Sequence, residues 1–477
     1  MEGLDVSEMS LSKANFAHVD FRIDSEFYSQ PNLQKEDAVR RGRHASLGSL
    51  CKLIAGPFGS AITTDNYDSE GGCRYIRATD IKSFFLNDRA PIFVGEDTYN
   101  KFPQFHLKEK DILLTVVGMN FGVPAIIEKE DCPAIFSCKS TLVRDCSVNP
   151  YYLVTYLSTD IGYGLVRRGY RGAAQPGINL SDIENVLVPI VSENFQNEIE
   201  VLVKRSRSFV AESHASYLAA ESILLNTLGM ASFSSCSENI NVKPLSDSFL
   251  ATGRLDAEYY QPKYEQLISH IEAQPHEHLA KLVSITKSIE PGSDAYSDNE
   301  EGLPFLRVAD YSKFGVTKPQ INLNVSYVAE NQEELDLLKP KKNTILFSKD
   351  GSVGEAYCLP EDANFVTSGA VLHLSVLDTE KILPDYLALT LNSVLVKMQA
   401  ERDAGGSIIL HWRVSEIENV IVPLVEFSEQ QKISSLVGRS FAFKAESDRL
   451  LEIAKQAVRI AIEGSEAMAL TYLRGTI

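Results

Sequence analysis

The feature that most constrains the fold is a segment of eleven residues that occurs twice in the chain. Residues 181–191 recur with conservative changes at 415–425, a shift of 234 in a chain of 477 residues. Each copy has a polar turn, a short β-branched strand that ends at proline, and then a long helical pattern. A chain of this length holds roughly two to four domains. The repeat therefore predicts an internal duplication with two similar modules.

Other segments repeat in the same order at nearly the same shift. They pair residues 22–31 with 254–262, 75–81 with 305–311, 111–117 with 344–349, and the helical stretches 151–158 with 385–393. The first pair contains an Asp and a Glu that could act as a catalytic pair. No His or Lys lies nearby to tune their pKa values. A lead-in segment, with packed aromatic residues and with charges facing solvent, is therefore favoured.

Glycines bound the two segments 118–122 and 351–354, and a strand precedes and follows each of them. This arrangement predicts β-hairpins. Their tips are either plain turns or elements that enter a DNA groove, and the sequence leaves both open. The loop 56–60, Gly-Pro-Phe-Gly-Ser, is similarly open between a phosphate-binding loop and a β-turn.

The two long helical patterns carry apolar and small residues at alternating spacings of three and four, as in a heptad seam. The seam residues are Ile199, Leu202, Ser206, Phe209, Ser213, Ser216, Ala220 and Ile223, and then Ile433, Leu436, Ser440, Phe443, Ser447, Leu450, Ala454 and Ala457. Serine and alanine on a seam let two backbones approach closely. We therefore expect the two helices to pack on each other, each as a rod of about 45 Å for roughly 30 residues.

Composition limits the possible functions. The net charge is −18, from 46 basic and 64 acidic residues. Such acidity is unlike a free-standing nucleic-acid binder, although it allows a local basic patch or binding shared with a basic partner. The seven cysteines form no Cys-x-x-Cys pair, so reduced thiols and no zinc site are expected. Neither a secretory signal nor a membrane span is apparent, which favours the cytoplasm.

The densest basic and aromatic cluster lies at residues 164–172 and contains Arg167, Arg168 and Arg171. Phosphate contact and a solvated loop are both open for it. The corresponding region of the second half contains Arg402, His411, Trp412 and Arg413. Trp412 is expected to pack rather than to stack on a base.

With these motifs in place, the chain resembles the specificity subunit of type I restriction–modification enzymes. The residues that carry the resemblance are the loop 56–60, the strand 75–81, the segment 183–189 leading into 196–199, and the second copy of that segment at 417–423 with 429–433. The resemblance covers nearly the whole chain twice.

The resemblance implies an α+β architecture. Two similar mixed α/β target-recognition domains would be separated by two long antiparallel, coiled-coil-like helices in a pseudo-twofold duplication. The implied boundaries are residues 1–191 for the first target-recognition domain, 192–230 for the first spacer helix, 231–250 for a linker, 251–425 for the second target-recognition domain, 426–463 for the second spacer helix and 464–477 for a tail.

The resemblance further implies a cytoplasmic subunit that is not an enzyme and has no cofactor or metal. Its partners would be double-stranded DNA, two methyltransferase subunits and restriction subunits. The candidate DNA-binding residues are Arg77, Lys139, Arg167, Arg168, Arg171, Lys349, Ser352, Arg402 and Arg413.

Alternative functions remain at this point. An adenine methyltransferase is suggested by residues 149–152, Asn-Pro-Tyr-Tyr, but no glycine-rich cofactor loop precedes them at a suitable spacing. A scaffold that bridges two protein partners would use the paired helices equally well. A third alternative is a specificity-like subunit of another phage-defence complex.

Overall fold

The computed structural model describes residues 8, 10, 22–68, 71–87, 91–172, 176–231, 233, 240–297, 301–406 and 409–476. Most of the first 21 residues and most of the central part of the linker predicted at 231–250 lie outside the described residues. The fold is mixed α/β. It divides into two compact units, unit 1 with residues 1–208 and 446–477 and unit 2 with residues 209–445. Unlike the sequence-based boundaries, these units each take part of both long helices.

Unit 1 consists of short strands and helices followed by the beginning of a long helix. Its strands are β1 His44–Ser46, β2 Lys52–Ala55, β3 Tyr67–Asp68, β4 Cys73–Ile76, β5 Ile92–Val94, β6 Ile112–Thr115, β7 Pro124–Ile126, β8 Ala134–Phe136, β9 Ser140–Arg144 and β10 Leu187–Pro189. Its helices are α1 Gln30–Arg40, α2 Leu47–Leu50, α3 Glu96–Asn100, α4 Pro150–Leu157, α5 Asp160–Arg167, α6 Leu180–Glu184 and the first part of α7 Glu193–Thr227.

The strands of unit 1 form two four-stranded sheets and one two-stranded ribbon. The sheet orders are β2-β9-β6-β7, which is antiparallel throughout, and β3-β5-β4-β8, in which β4 and β8 run parallel. The ribbon joins β1 to β10. All four residues of β6 are buried, which explains why this central strand appears in the sequence as an unbroken apolar run.

Unit 2 continues α7 and adds a second series of elements. Its strands are β11 His276–His278, β12 Val283–Lys287, β13 Tyr296–Ser297, β14 Leu303–Leu306, β15 Tyr311–Ser312, β16 Gly315–Val316, β17 Ile321–Leu323, β18 Ile345–Ser348, β19 Ala356–Cys358, β20 Val366–Thr367, β21 Val371–Val376 and β22 Ile421–Pro423. Its helices are α8 Phe249–Thr252, α9 Pro262–Glu272, α10 Val325–Glu330, α11 Gln332–Leu338, α12 Pro384–Asn392, α13 Val394–Asp403, α14 Val414–Ile417 and the first part of α15 Phe427–Glu463.

The sheets of unit 2 have the same strand orders. They are β12-β21-β18-β19, antiparallel throughout, and β13-β17-β14-β20, in which β14 and β20 run parallel. The ribbon is β11 with β22, and a small extra hairpin joins β15 to β16. The predicted hairpins are confirmed in both units, because β6 pairs with β7 and β18 with β19.

A glutamine side chain fixes the start of each long helix to the module beside it. In unit 1 the side-chain carbonyl of Gln196 accepts the N–H of Asn149 at 2.7 Å, and in unit 2 that of Gln430 accepts the N–H of Leu383 at 3.0 Å. Each glutamine also donates to the carbonyl five residues before it, at 3.0 Å. The two glutamines are related by the same shift of 234 residues as the eleven-residue repeat.

Within unit 2, the two long helices pack through small residues. The hydroxyls of Ser213 and Ser440 are 3.0 Å apart, and the rings of Phe209 and Phe443 stack at 5.8 Å. Both serines are buried. Phe209 of α7 contacts Phe443 of α15, whereas Ser213, further along α7, contacts Ser440, which is earlier in α15. The two helices therefore run antiparallel in this unit.

Within unit 1, the same helices meet at a second serine pair, Ser206 with Ser447, whose hydroxyls are 2.8 Å apart. The predicted tail is mostly a helix, α16 Glu466–Thr476, whose Ala469 and Leu473 are buried. Its first residue, Glu466, accepts the N–H of Ser192 at 3.0 Å. The antiparallel direction is thus seen in unit 1 as well.

The lead-in segments pack as the sequence predicts, with one exception. Phe27 and Tyr28 form an edge-to-face pair at 5.0 Å in unit 1, and Tyr259 and Tyr260 do the same in unit 2. The expectation that the charges face solvent is wrong for Arg22, which is buried. Buried guanidinium groups need partners, and Arg22 obtains them inside unit 1.

The expectation of reduced thiols is wrong for one pair of cysteines. Cys51 and Cys146 form a disulfide, although 95 residues separate them in the chain. They lie next to β2 and β9, whose antiparallel pairing sets Lys52 opposite Arg144. The sheet therefore brings together two cysteines that the sequence spacing does not connect. The other described cysteines have free thiols.

A buried histidine in unit 2 should make the folding stability of that unit depend on pH. His373 lies in β21 with its Nε2 atom 2.9 Å from the Thr367 hydroxyl, and burial lowers its pKa to about 4 from an ordinary value of 6.5. The unfolded chain therefore binds a proton that the folded chain rejects. Stability is full above pH 6.5 and falls as the pH drops toward 4, by about 3 kcal/mol in total and by about 1 kcal/mol between pH 7.5 and 5.5.

The matched variant for this test is His373→Leu. Leu142 is the residue of unit 1 that corresponds to His373, because it pairs with Leu113 as His373 pairs with Leu346 in unit 2. A leucine therefore suits position 373. Urea unfolding of the natural chain and of the variant should be compared between pH 7.5 and 5.5. An equal loss of stability in both would show that His373 is not the group responsible.

Candidate nucleic-acid interface

Four loops of unit 1 meet at the hairpin between β6 and β7. The N–H of Val116 donates to the carbonyl of Lys139 at 2.9 Å, and the N–H of Gly118 donates to that of Pro176 at 2.9 Å. The fourth loop joins through Gly56, whose N–H donates to the carbonyl of Ser140 at 3.1 Å. We call residues 56–60, 118–122, 137–139, 171–172 and 176–177 the loop face of unit 1.

Unit 2 has the corresponding junction around the hairpin between β18 and β19. The N–H of Lys349 donates to the carbonyl of Ala370 at 2.9 Å, and that of Gly351 donates to Leu410 at 2.9 Å. Gly369 donates to the carbonyl of Ile289 at 2.7 Å. The loop face of unit 2 comprises residues 289–292, 349–354, 368–370, 405–406 and 409–411.

Glycine is needed at two kinds of place in these loops. At Gly56 a Cβ atom would lie 2.3 Å from the Ser137 carbonyl oxygen, so no other residue fits without a backbone shift. The hairpin glycines Gly118, Gly122 and Gly351 have φ angles of 105°, 87° and 73°, which other residues rarely adopt. The glycine pattern seen in the sequence is therefore required by the local backbone.

The loop faces carry exposed side chains of different chemistry. In unit 1, Phe58 is 89% exposed and Met119 is also exposed, and exposed Lys139 belongs to a neighbouring loop of the same face. In unit 2, the exposed residues include Ser352 and His411. The exposed apolar side chains can contact bases, and the cation beside them can contact phosphate.

Arg167 is not part of a solvated loop. It is the last residue of α5, and its guanidinium donates to the carbonyls of Met119 and Phe121, both at 3.2 Å. The guanidinium carbon also lies 4.3 Å from the centre of the Phe121 ring. Arg167 therefore holds the tip of the hairpin in unit 1 in place.

Arg168 and Arg171 are engaged inside unit 1. The Arg168 side chain is 7% exposed, forms an ion pair with Glu36, and lies 3.9 Å from the centre of the Phe27 ring. Burial alone would raise the pKa of Glu36, but Arg168 beside it lowers that pKa overall. Arg171 forms two hydrogen bonds with the carboxylate of Asp182, at 2.9 and 3.0 Å.

Arg77 also has an internal partner. Its guanidinium donates to both oxygens of Asp80, at 3.0 and 2.7 Å, and this hydrogen bonding raises the pKa of Arg77. Unit 2 has the same pair, with 3.4 Å between Arg307 and Asp310. Because the pair occurs in both units, it gives a structural reason for the matched apolar–Arg–apolar pattern in the sequence.

The candidates in unit 2 range from paired to exposed. Lys349 forms an ion pair with Asp350, and the other oxygen of Asp350 lies 2.8 Å from Nδ1 of His411. Arg402 donates to Asp403 at 2.7 Å. Arg413 is the most accessible cation of the predicted set in this unit, with 80% of its side chain exposed.

Two other sequence-based interpretations can be judged from burial. Trp412 is buried and packs on Phe347 with ring centres 5.7 Å apart, which confirms the expected packing role. Asn149 caps α4 by accepting the N–H of Tyr151 at 2.9 Å, while Tyr151 and Tyr152 are fully buried. The Asn-Pro-Tyr-Tyr motif is thus the start of a core helix, and it leaves no room for a flipped base.

The described residues contain neither a metal-binding cluster nor a membrane-spanning helix. Across them, no group of three or more His, Cys, Asp or Glu side chains could hold a metal ion. None of the described helices is long and apolar enough to cross a membrane.

The sequence-based candidates omitted part of the loop faces. Phe58, Met119 and His411 lie on these faces but were not selected, because the selection favoured cations. Their signal was present in the sequence, since Phe58 and Met119 are each bounded by glycines. A large apolar residue in a glycine-bounded turn is thus a candidate for exposure, although Phe121, in the same turn as Met119, is buried.

Comparison with known proteins gives a domain match for part of the chain. Residues 288–448 match the model of the type I restriction modification DNA specificity domain. The EcoBI specificity subunit of a type I restriction enzyme from Escherichia coli is 25% identical over 162 residues, which are 32% of this chain and 31% of that protein. The match thus spans about a third of that relative's length.

Two solved structures are similar over most of the chain. The S subunit of a type I restriction–modification system from M. genitalium has a TM-score of 0.38 and 13% identity, covering 90% of this chain and 95% of that one. The HsdS subunit from Thermoanaerobacter tengcongensis has a TM-score of 0.28 and 16% identity, covering 89% and 97%. Both TM-scores are below 0.5, so the assignment rests on the domain match. By that match, residues 288–448 are similar to the type I restriction modification DNA specificity domain.

Proposed function

We propose that the chain is the sequence-specific DNA-recognition subunit of a type I restriction–modification complex. It reads a bipartite DNA site and positions methyltransferase subunits, and restriction subunits join the complex. It performs no chemistry itself and acts in the cytoplasm. Each target-recognition domain reads one half of the site through its loop face.

The observation that carries this proposal is the recurrence of the loop face. The same four loops are joined by corresponding hydrogen bonds in unit 1 and unit 2, from Val116 to Lys139 and from Lys349 to Ala370. The side chains on them differ, with Phe58, Met119 and Lys139 in unit 1 and Ser352 and His411 in unit 2. A constant frame with different exposed residues suits two readers of different sequences.

We assign the two long helices to the role of spacer. They would relate two target-recognition domains by a pseudo-twofold axis, and DNA half-sites separated by a fixed distance would require such an element. The glutamines Gln196 and Gln430 support this role, because each ties the start of a spacer helix to the adjacent domain.

The nine candidate DNA-binding residues fall into two groups under this proposal. Lys139, Ser352 and Arg413 are exposed, Arg413 with a long ion pair of 3.9 Å to Glu416, and would contact DNA directly. Arg77, Arg167, Arg168, Arg171, Lys349 and Arg402 hydrogen bond or ion pair with their own unit, so they would act chiefly by holding the recognition loops. The acidity of the chain fits DNA binding shared with partner subunits.

The proposal is tested by mapping methylated bases in the genome of a host that carries this gene and the methyltransferase gene of the same system. We expect adenine methylation at one bipartite motif, and its disappearance when this gene alone is deleted. Exchanging the loop-face residues of unit 1 should alter one half of the motif and leave the other half unchanged.

A scaffold role and a methylation-independent defence role make a different prediction. Under either of them, deletion of this gene would leave every methylated motif intact. That result would reject the proposed function. Loss of one methylated motif on deletion would support it. A change in one half of the motif in the loop-face variant would also identify which domain reads which half.

A further inference from the structure

Each half of the chain exposes one aliphatic side chain within the same charged motif. Ile23 in unit 1 and Leu255 in unit 2 are both 75% exposed. They occupy the same place in the repeated lead-in segment, between an arginine and an aspartate. Single exposed aliphatic residues are common on protein surfaces, but here the same exposure is present in both copies.

The backbone around Ile23 is held firmly. The Arg22 guanidinium donates to Asp24 at 2.8 and 2.6 Å and to the carbonyl of Tyr170 at 2.8 Å. The hydroxyl of Tyr28 donates to the carbonyl of Arg22 at 3.0 Å. The exposed side chain thus projects from a fixed turn, because Arg22 is tied to the body of unit 1 and Asp24 is tied to Arg22.

The backbone around Leu255 is held by the same set of bonds. Arg254 donates to Asp256 at 2.9 and 2.6 Å and to the carbonyl of Asp403 at 3.1 Å. Tyr260 donates to the carbonyl of Arg254 at 3.0 Å. A fixed conformation lowers the entropy lost when a side chain is captured by a partner.

Apolar surface extends beyond Leu255 itself. Ile240, also highly exposed, lines with Leu255 a concave site of about 360 Å³ in unit 2. Its rim includes Lys243 and Arg254, and both have acidic partners within the unit, Glu265 and Asp256. The site is therefore an apolar depression whose own charges are largely balanced.

The charges around Ile23 and Leu255 favour a protein partner over DNA. Asp24 and Glu26 flank Ile23 at one and three residues, and Asp256 and Glu258 flank Leu255 in the same way. Glu26, Asp256 and Glu258 are exposed. Carboxylates at these positions would repel DNA phosphates, whereas they would attract a cationic rim on a protein.

We propose that Ile23 and Leu255 are two equivalent docking knobs for two copies of one protein partner. Each copy receives its knob in an apolar pocket rimmed by cationic side chains. Two copies of the same surface on one chain require two copies of the same partner. This inference rests on the proposed function, under which that partner is the methyltransferase subunit.

The test is the number of methyltransferase subunits bound per chain, measured by native mass spectrometry on the co-expressed complex. We expect two copies for the natural chain, one copy for Ile23→Asp or Leu255→Asp, and none for the double variant. Burial of one aliphatic side chain corresponds to about a 10- to 100-fold change in dissociation constant per knob. Ile23→Leu and Leu255→Ile should retain both copies.

Leu337→Asp is the matched control, because Leu337 is an exposed aliphatic residue of α11 outside the motif. It should bind two copies. The double variant Glu26→Lys/Glu258→Lys tests the cationic rim without altering the knobs, and it should also lose both copies. Equal urea midpoints for all variants would show that folding is unaffected.

The outcomes are separable. If Ile23→Asp/Leu255→Asp still binds two copies, the docking proposal is wrong and the proposed function stands. If that variant binds two copies but its complex no longer retains DNA, the knobs face DNA instead and the proposal is also overturned. If the natural chain binds no methyltransferase at all, the proposed function fails together with the docking proposal.

Discussion

Replacing Ser213 by aspartate is expected to lower the free energy of unfolding of unit 2 by about 3 to 5 kcal/mol. Ser213 is fully buried between the two long helices, with its hydroxyl 3.0 Å from that of Ser440. A carboxylate there would lose its hydration and would face only a hydroxyl. The helices would have to separate to hydrate it, which would remove the apolar contacts on both sides of the pair.

Alanine variants separate the charge effect from the loss of the hydrogen bond. Ser213→Ala leaves the Ser440 hydroxyl buried without its partner, at a cost of about 1 to 3 kcal/mol, and Ser440→Ala does the reverse. The double variant removes both hydroxyls together. It should be clearly less destabilised than the sum of the two single variants.

Urea unfolding followed by circular dichroism gives these differences, and hydrogen exchange in α7 and α15 shows where the structure opens. The matched control is Ser435→Ala, since Ser435 is exposed on α15 and should change stability little. Additive losses in the double alanine variant would mean that the two hydroxyls are not coupled, and that the seam does not depend on their hydrogen bond.

The second large effect is expected for Arg167→Ala on DNA binding by the assembled complex. We expect affinity to fall by about 10- to 100-fold, equivalent to about 1 to 3 kcal/mol. The cause is loss of the two hydrogen bonds to the carbonyls of Met119 and Phe121 and of the ring contact with Phe121. Without them the hairpin tip must be ordered at the time of binding.

The contrast with Lys139→Ala identifies the role of Arg167. Exposed Lys139 would contact phosphate, so its loss should weaken binding to all sequences alike and reduce the slope of log affinity against log salt by about 1. Arg167→Ala should instead relax selectivity in one half of the bipartite motif. Arg167→Lys keeps the charge but loses the planar two-donor geometry, and should not restore selectivity.

Fluorescence anisotropy with the specific duplex, and with duplexes altered in each half of the motif, measures these effects over a range of salt concentrations. If Arg167→Ala weakens binding to every duplex equally and lowers the salt slope, then Arg167 is a phosphate contact. The tip-holding role would then be rejected.

Features that depend only on neighbouring residues were predictable from the sequence. The hairpins at 118–122 and 351–354 followed from glycines between apolar strands, because positive φ angles and strand alternation are local properties. The long helices followed from spacings of three and four residues. The start of α4 at Pro150 was likewise close to the predicted start of a short helix at residue 151.

The tertiary structure alone decided which charged residues are available to a partner. Arg168 has its ion-pair partner Glu36 132 residues away, and Arg22 is within hydrogen-bond distance of Asp182, 160 residues away. No local pattern reports such pairs. The three arginines of residues 164–172 therefore looked alike in the sequence, although one fixes a hairpin tip, one is nearly inaccessible and one is paired with a buried aspartate.

The loop faces and the disulfide were decided in the same way. Residues 56, 118, 139 and 176 are distant in sequence and meet only because the register of β2, β9, β6 and β7 brings their connecting loops to one place. Cys51 and Cys146 meet through the same sheet. Strand register is set by the hydrophobic pattern of all the strands in the sheet and by the face that is buried, and this collective property cannot be assigned to any single segment.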